Sequence, residues 1–465
     1  MLPRILIRVQ FSAGLGLLFV SGLSGQNNTF QGSVPSGKAS STPLALTLDD
    51  AIRRGLQFNL GLLESQTASQ TAKADRIQAL SSLLPQVTGT LEETDEQVNL
   101  KTRGINVPPN PYLTIPTIVG PFSYTTAQAN LSAKVLNFNA RRTLKSARAA
   151  EQAARLTLED TRDLVVQAAA NSYLLVIADT SRVQAIKAQV ETDQALYKRT
   201  MDQHDAGVAA GIDVLRAQVQ LKIQQQALLA QQNQFEKDKL ALGRVIGLPP
   251  AQVFEVAETA PFSPLTGINQ EEGLRIALAQ RPDYQSSRKL VESAQQTLSA
   301  ARAEWYPTVD LNAFYGDSGP TLANSHGVFE VDGILNFNIF TGGRIRAETE
   351  RARAALKQRA DELADLGARI EVDVRDAFLD LQSTADQVAV ARDNLGLANE
   401  TLRQAQDRFS AGVTDNIEVV QAQGTVATAN DNLISALYAN NVAKVSLARA
   451  TGMTEQGVRK YIEAK

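Results

Sequence analysis

The sequence predicts an α+β membrane protein: four β-strands per chain that close a barrel only with other copies, continued by long α-helices. Three observations predict it. The chain carries one set of motifs twice in the same order. Four segments alternate apolar and polar residues, and two long proline-free stretches repeat apolar residues every seven positions.

Composition narrows the function classes. The chain has 465 residues, with 46 Lys+Arg against 49 Asp+Glu and a net charge of −3. No basic excess marks a nucleic-acid partner. Cysteine is absent, which removes disulfides, thiolate metal sites and a cysteine nucleophile. The two histidines, His204 and His326, are far apart in sequence, so histidine metal sites and most His-based catalysis are not expected. Aromatics are 5% of a chain that is 43% apolar, which suits long Ala/Leu/Val helices better than an aromatic-rich enzyme core. We expect no enzyme and no cofactor.

Residues 1–25 read as a cleavable export signal: Arg4 and Arg8 precede the apolar run Phe11 to Val20, and small residues follow from Ser21 to Gly25. Residues 26–46 are polar and expected to be flexible. No later run is apolar for the 18 or so residues of a membrane helix, so a further crossing calls for β-strands.

The repeat organises the rest. Asp50-Ala51-Ile52-Arg53 aligns with Glu272-Gly273-Leu274-Arg275, and Leu84-Pro85-Gln86-Val87 with Tyr306-Pro307-Thr308-Val309, both 222 positions on. Phe138-Asn139-Ala140-Arg141-Arg142 matches Phe340-Thr341-Gly342-Gly343-Arg344, 202 positions on. Ala206-Gly207-Val208 matches Ala411-Gly412-Val413 at a spacing of 205. The fall in spacing puts an insertion in the first half, where Pro-rich residues 106–121 read as a long loop. Two repeats follow, 47–247 and 269–453, with a linker at 248–268 and a tail at 454–465.

Each repeat opens with a helical stretch, 47–83 or 269–304, ending before Pro85 or Pro307. Strands follow. Val309, Leu311, Ala313 and Tyr315 alternate with polar residues; Phe329 to Ile339 and Ala127 to Val135 do the same, and 87–100 does so more weakly. A proline-free helix then runs over roughly 140–205 or 343–410. Leu381, Val388, Leu395, Leu402 and Phe409 recur every seven residues in one; Val176, Val183, Val190 and Tyr197 do so in the other. That spacing keeps an apolar seam against neighbouring helices, as in a left-handed coiled coil. Each long helix turns at Ala-Gly-Val and returns over 212–246 or 416–451. An open sheet edge cannot face lipid, so four strands need partners; three chains would supply twelve strands, with the helices continuing the wall.

The helix-to-strand junctions at Leu84-Pro85 and Tyr306-Pro307 carry a family resemblance, together with Arg281-Pro282-Asp283, Phe340-Thr341-Gly342-Gly343-Arg344 and the paired Ala-Gly-Val hairpins. In this duplicated order, residues 44–453 resemble the TolC-like outer-membrane efflux proteins, or outer-membrane factors. The resemblance implies a homotrimeric channel-tunnel: a 12-stranded β-barrel in the outer membrane and a periplasmic α-helical coiled-coil barrel. It implies passive conduction of substrates delivered by a periplasmic adaptor protein and an inner-membrane pump of the RND, ABC or MFS type. Many relatives carry a lipidated N-terminal cysteine; this sequence has none.

The family's tunnel closes at its periplasmic tip, where both hairpins would fall. Asp213 and Glu418 stand one turn beyond them, at matched positions, with Gln421 where some relatives have a second acid. In a trimer the two acids would make rings of three carboxylates able to attract cations and hold a metastable gate. They equally suit the first turn of a helix, where the dipole favours acids, and both readings stay open. His204 and Phe409 stand where a tyrosine is common in the family and Thr414 where an arginine can lock the gate, so that lock is not carried over. Gly207, Val208, Gly412 and Val413 are the residues expected to meet the adaptor. Arg141, Arg142 and Arg344 read as anchors at the inner edge of the membrane. Two other classes fit less well. A periplasmic adaptor would show one helical hairpin rather than two, and a coiled-coil scaffold leaves the alternating strands unexplained.

Overall fold

A computed structural model describes residues 30, 32–105, 115–257, 262, 269–414 and 416–462. The expected signal at 1–25 lies outside these residues, as does most of the Pro-rich insertion. The chain begins with strand β1 (Leu44–Leu46), helices α1 (Leu48–Phe58) and α2 (Leu60–Ser81), and strands β2 (Gln86–Asn99) and β3 (Ile118–Leu136). Helix α3 (Phe138–Asp205) runs for 68 residues and returns as α4 (Gly211–Val245), followed by the short strand β4 (Phe254–Val256). Then come α5 (Gln270–Gln280), α6 (Pro282–Ala303), β5 (Thr308–Gly319), β6 (His326–Asn336), α7 (Arg344–Ser410), α8 (Ile417–Ala450) and α9 (Thr454–Ile462).

Three expectations change. The helical stretches 47–83 and 269–304 are each two helices. Asn59 is fully buried and extended; its Oδ1 accepts from the Gly61 N–H while its Nδ2 donates to the Phe30 and Val245 carbonyls. Those bonds need a non-helical backbone at Asn59. In the other half Pro282 sits at the first position of α6, and a proline biases its predecessor away from helix. Second, residues expected to be flexible (26–46) or linker (248–268) are in part ordered: β1 pairs with β4 in parallel, Leu44 beside Phe254 and Leu46 beside Val256; the tail, for which no element was expected, carries α9 with Val458 and Tyr461 buried. Third, residues 118–121 belong to β3 rather than to the loop, and β6 ends at Asn336, short of Ile339.

The four long strands form one antiparallel sheet in the order β2-β3-β5-β6. Its register confirms the alternation. Val87, Leu131, Ala313 and Val331 lie in one row across the sheet, and Gly89, Ala129, Tyr315 and Phe329 in the next on the same face. The opposite face carries Gln86, Ser132, Asn312 and Asp332, then Thr88, Asn130, Phe314 and Glu330. In these rows one face is apolar and the other largely polar, as a strand between lipid and a wet lumen requires; farther from the helices the apolar face gives way to Asp317 and Glu93.

Below the sheet, α3 packs between α2 and α6, and α6 packs against α7. Further down the order is α4, α3, α8, α7. The main core lies where these layers meet. Tyr173, Val166, Ala169 and Ile177 of α3 pack with Leu46, Leu48 and Ile52, with Leu242 and Ile246, with Val445 and Ala448, and with Val458. Helix α3 is long and apolar enough to cross a bilayer, but 56% of its most apolar window is buried within the chain, the mark of a core helix.

A buried ionic cluster ties the break at Pro282 to this core. Arg281 donates to Asp283 (2.7 Å) and to Asp373 of α7 (2.8 Å). Arg449 of α8 pairs with Asp160 of α3 and stands 4.0 Å from Asp163 and 3.9 Å from Asp283. Burial tends to raise Asp283, but the hydrogen bond and charge of Arg281 outweigh it and hold the group below the usual carboxylate range. Burial pushes Asp163 up to about 6 against the pull of Arg449, with Asp160 and Glu455 adding to the rise. A carboxyl raised in the folded state binds its proton more tightly there than in the unfolded chain. Stability therefore falls as pH rises from 3.8 to about 6. Asp163→Asn is expected to flatten that part of the melting-temperature profile and raise the midpoint at pH 7. An unchanged slope between pH 4 and 6 would show that Asp163 is not the group titrating.

Candidate functional site

The two hairpin turns are built alike. At the end of α3 the Gly207 N–H donates to the His204 carbonyl (2.8 Å) and the Val208 N–H to the Gln203 carbonyl (2.9 Å). At the end of α7 the Gly412 N–H donates to Phe409 and the Val413 N–H to Arg408, both at 3.1 Å. This pair of bonds is the Schellman motif, which needs a left-handed residue after the helix cap. Gly207 and Gly412 supply it, with φ of +77° and +72°. A Cβ at either site would meet nothing within 4 Å, so backbone conformation rather than space selects glycine. The valine after each glycine ordinarily packs on the helix's last turn. Here the facing residues are Gln203 and Arg408, and Val208 and Val413 remain 79% and 70% exposed. The His204 side chain closes its own turn, with Nδ1–H donating to the Ala209 carbonyl at 3.0 Å.

Asp213 and Glu418 lie in the first turns of α4 and α8. Each already has an arginine within its own chain. Arg216 stands 3.3 Å from Asp213, and Arg408 stands 3.5 Å from Glu418. The Asp213 side chain is 15% exposed and that of Glu418 40%. These pairings reduce the repulsion that rings of bare carboxylates would generate. The structure joins the hairpins at a residue that no sequence pattern marks: buried Asn416 donates from Nδ2 to the Asp213 carbonyl at 2.9 Å. Ile212, Leu215 and Val219 of α4 then share an open groove with Ile417, Val420 and Gln421 of α8. Gln421 is exposed in this groove. Just above, Leu196, Leu402 and Phe409 pack around Ala405, Val419 and Ala422.

Further polar joints hold the coiled coil above the tip. Arg182 of α3 donates to Asp179 (3.2 Å), to Asp431 (3.0 Å) and to Ser435 (2.9 Å), linking α3 to α8. Gln231 of α4 donates to the same Asp179. Among the described residues, no cluster of three or more His, Cys, Asp or Glu could hold a metal ion.

A chain with a lipid-compatible sheet and two long helical hairpins ending in exposed tips defines a class of outer-membrane proteins. The family model for outer membrane efflux proteins matches residues 51–248 and 273–453. The chain belongs to that family, as an export component seated in the outer membrane. It is 26% identical over 335 residues to the pyoverdine export outer membrane protein OpmQ of Pseudomonas aeruginosa, covering 70% of this chain and 68% of OpmQ. It is 24% identical over 305 residues to the toluene efflux pump outer membrane protein TtgC of Pseudomonas putida, covering 63% of this chain and 61% of TtgC. The CmeC outer membrane channel of Campylobacter jejuni has the same fold, with a TM-score of 0.76 over 92% of each chain at 17% identity.

Proposed function

We propose that three copies of this chain form a channel-tunnel, a twelve-stranded barrel continued by a periplasmic helical barrel. It conducts substrates passively from a periplasmic adaptor and an inner-membrane RND, ABC or MFS pump across the outer membrane. The open sheet carries this reading. β2 and β6 are its edges, each paired on one side only among the described residues, and a sheet in lipid must close. The outer helices add support. On α4, Ile223, Leu229 and Leu240 are exposed 12, 18 and 29 residues above its start at Gly211. On α7, Leu397, Val390 and Leu379 are exposed 13, 20 and 31 residues above its end at Ser410. Apolar residues thus stand at matching heights on the two outer helices, suited to meet between neighbouring copies. Residues 47–247 and 269–453 are then two structural repeats joined by the linker at 248–268, behind a signal at 1–25.

Within that assembly we assign Asp213, Glu418 and Gln421 to the gate, and Gly207, Val208, Gly412 and Val413 to the adaptor contact. The exposed valines favour the second assignment. Single-channel recording in planar bilayers tests both the conduit and its gate. Wild type is expected to conduct and to be blocked by multivalent cations. Asp213→Asn with Glu418→Asn should change conductance and weaken that block. Wild-type-like conductance and block in an assembled double variant would leave the two acids as helix-start residues. The dipole role alone predicts only a stability loss of about 0.3–1 kcal/mol per site.

A further inference from the structure

The three arginines expected as anchors beneath the sheet divide into two kinds. Arg142 donates to Gln296, and Arg344 pairs with Glu304 and Glu348, so these two expected anchors are engaged within the chain. Arg141, Lys145 and Arg148 have exposed side chains with no hydrogen-bond or ion-pair partner among the described residues. They follow Phe138, the first residue of α3, at spacings of three, seven and ten, so all four share one helix face. The Phe138 ring meets Tyr306 edge-on at 5.6 Å, and Tyr306 and Trp305 are exposed beside it at the end of α6. Both flanks of α3 are filled by its own chain. Asn139 donates to the Ala300 carbonyl of α6, and Arg76 of α2 pairs with Glu151. Glu151, the nearest acid on α3, is also held by Arg155.

We propose that Arg141, Lys145 and Arg148 form a docking stripe for anionic phospholipid headgroups in the inner leaflet of the outer membrane. The aromatic rim sits at the hydrocarbon edge, as Trp and Tyr do at membrane interfaces. The stripe descends about 10 Å from Arg141 to Arg148 at 1.5 Å per residue. The headgroup layer is roughly 5–8 Å deep, and long basic side chains reach upward into it. Unpaired cations at that depth match a net-negative headgroup and gain little from a zwitterionic one. The stripe lies apart from the hairpin tips and is independent of the gate and the adaptor; it needs only the sheet in the membrane.

The test is native mass spectrometry of the purified full-length protein from micelles holding equal phosphatidylglycerol and phosphatidylcholine. Wild type should retain phosphatidylglycerol over phosphatidylcholine by about tenfold or more. The triple variant Arg141→Gln, Lys145→Gln, Arg148→Gln should lose that preference while still fractionating with outer membranes. Equal retention of the two lipids by wild type, or an unchanged preference in the variant, overturns the proposal. So does preferential retention of lipopolysaccharide when it is added to the same micelles in equal amount. Should the stripe line the lumen instead, the variant would shift ion selectivity in planar bilayers and leave lipid retention alone, which also overturns it. If the triple variant does not assemble, salt decides on wild type: a preference that fades with ionic strength supports the stripe, and a salt-insensitive one refutes it.

Discussion

Tyr173→Ala is expected to destabilise the chain by about 3–5 kcal/mol, a large part of the stability of any domain. Tyr173 is fully buried in α3, at the junction of α1, α4, α8, α9 and the β1–β4 pair. Removing the ring opens a cavity that several rigid elements line and none can readily fill. Tyr173→Phe separates packing from hydrogen bonding. The hydroxyl donates to the Leu46 carbonyl at 2.9 Å, but that carbonyl also accepts from the Ala257 N–H at 3.0 Å. It is therefore not orphaned, and the phenylalanine variant should lose only about 0.5–1.5 kcal/mol. Thermal and denaturant unfolding of both variants in detergent measures the difference. A similar loss for the two would mean that the hydroxyl, rather than the packing, anchors this junction.

The second large effect concerns assembly. Leu229→Glu with Leu240→Glu places two carboxylates on the outer face of α4, at the heights of Val390 and Leu379 on α7. Burying each leucine against a neighbour is worth roughly 1.5–3 kcal/mol, and a buried carboxylate costs several more. The loss recurs at all three contacts of a trimer, so the variant should run as a monomer in detergent by light scattering. Val208→Glu, at an exposed tip, is the control and should remain trimeric. Trimers unaffected by the α4 pair would place the subunit contact on other faces.

Much of this architecture is written locally. The long helices begin and end within about two residues of their expected bounds, because the repeated Phe-Asn-Ala-Arg-Arg and Phe-Thr-Gly-Gly-Arg junctions at one end and a left-handed glycine at the other are signals a short window contains. Strand alternation is equally local, and the observed register places the expected residues on one face. Asn59 escaped for the opposite reason. The residues on either side of it are helical in pattern, and its partners, Phe30 and Val245, are remote in sequence. Strands β1 and β4 have three residues each and exist only because they find one another. At the candidate site the turns were legible, but the arginine partners of Asp213 and Glu418 and the crossing of Asn416 depend on how two hairpins pack. Lys145 and Arg148 belong to no repeated motif. Only their helical spacing from Phe138 marks them, and it gains meaning once the expected anchors Arg142 and Arg344 are seen to be paired.

The length of α3 also gives the molecule leverage. From Tyr173 in the packed core to Asp205 at the turn, the helix extends 32 residues without a proline, about 48 Å at 1.5 Å per residue. A stiff rod held at one end converts a small rotation there into a large displacement at the other. Five degrees of tilt about Tyr173 would sweep the tip sideways by about 4 Å, on a rise of 1.5 Å per residue. In the proposed trimer, three such rods around one axis would work as an iris. The free energy needed to dilate its aperture is then set at the pivot, among buried side chains far from the opening itself.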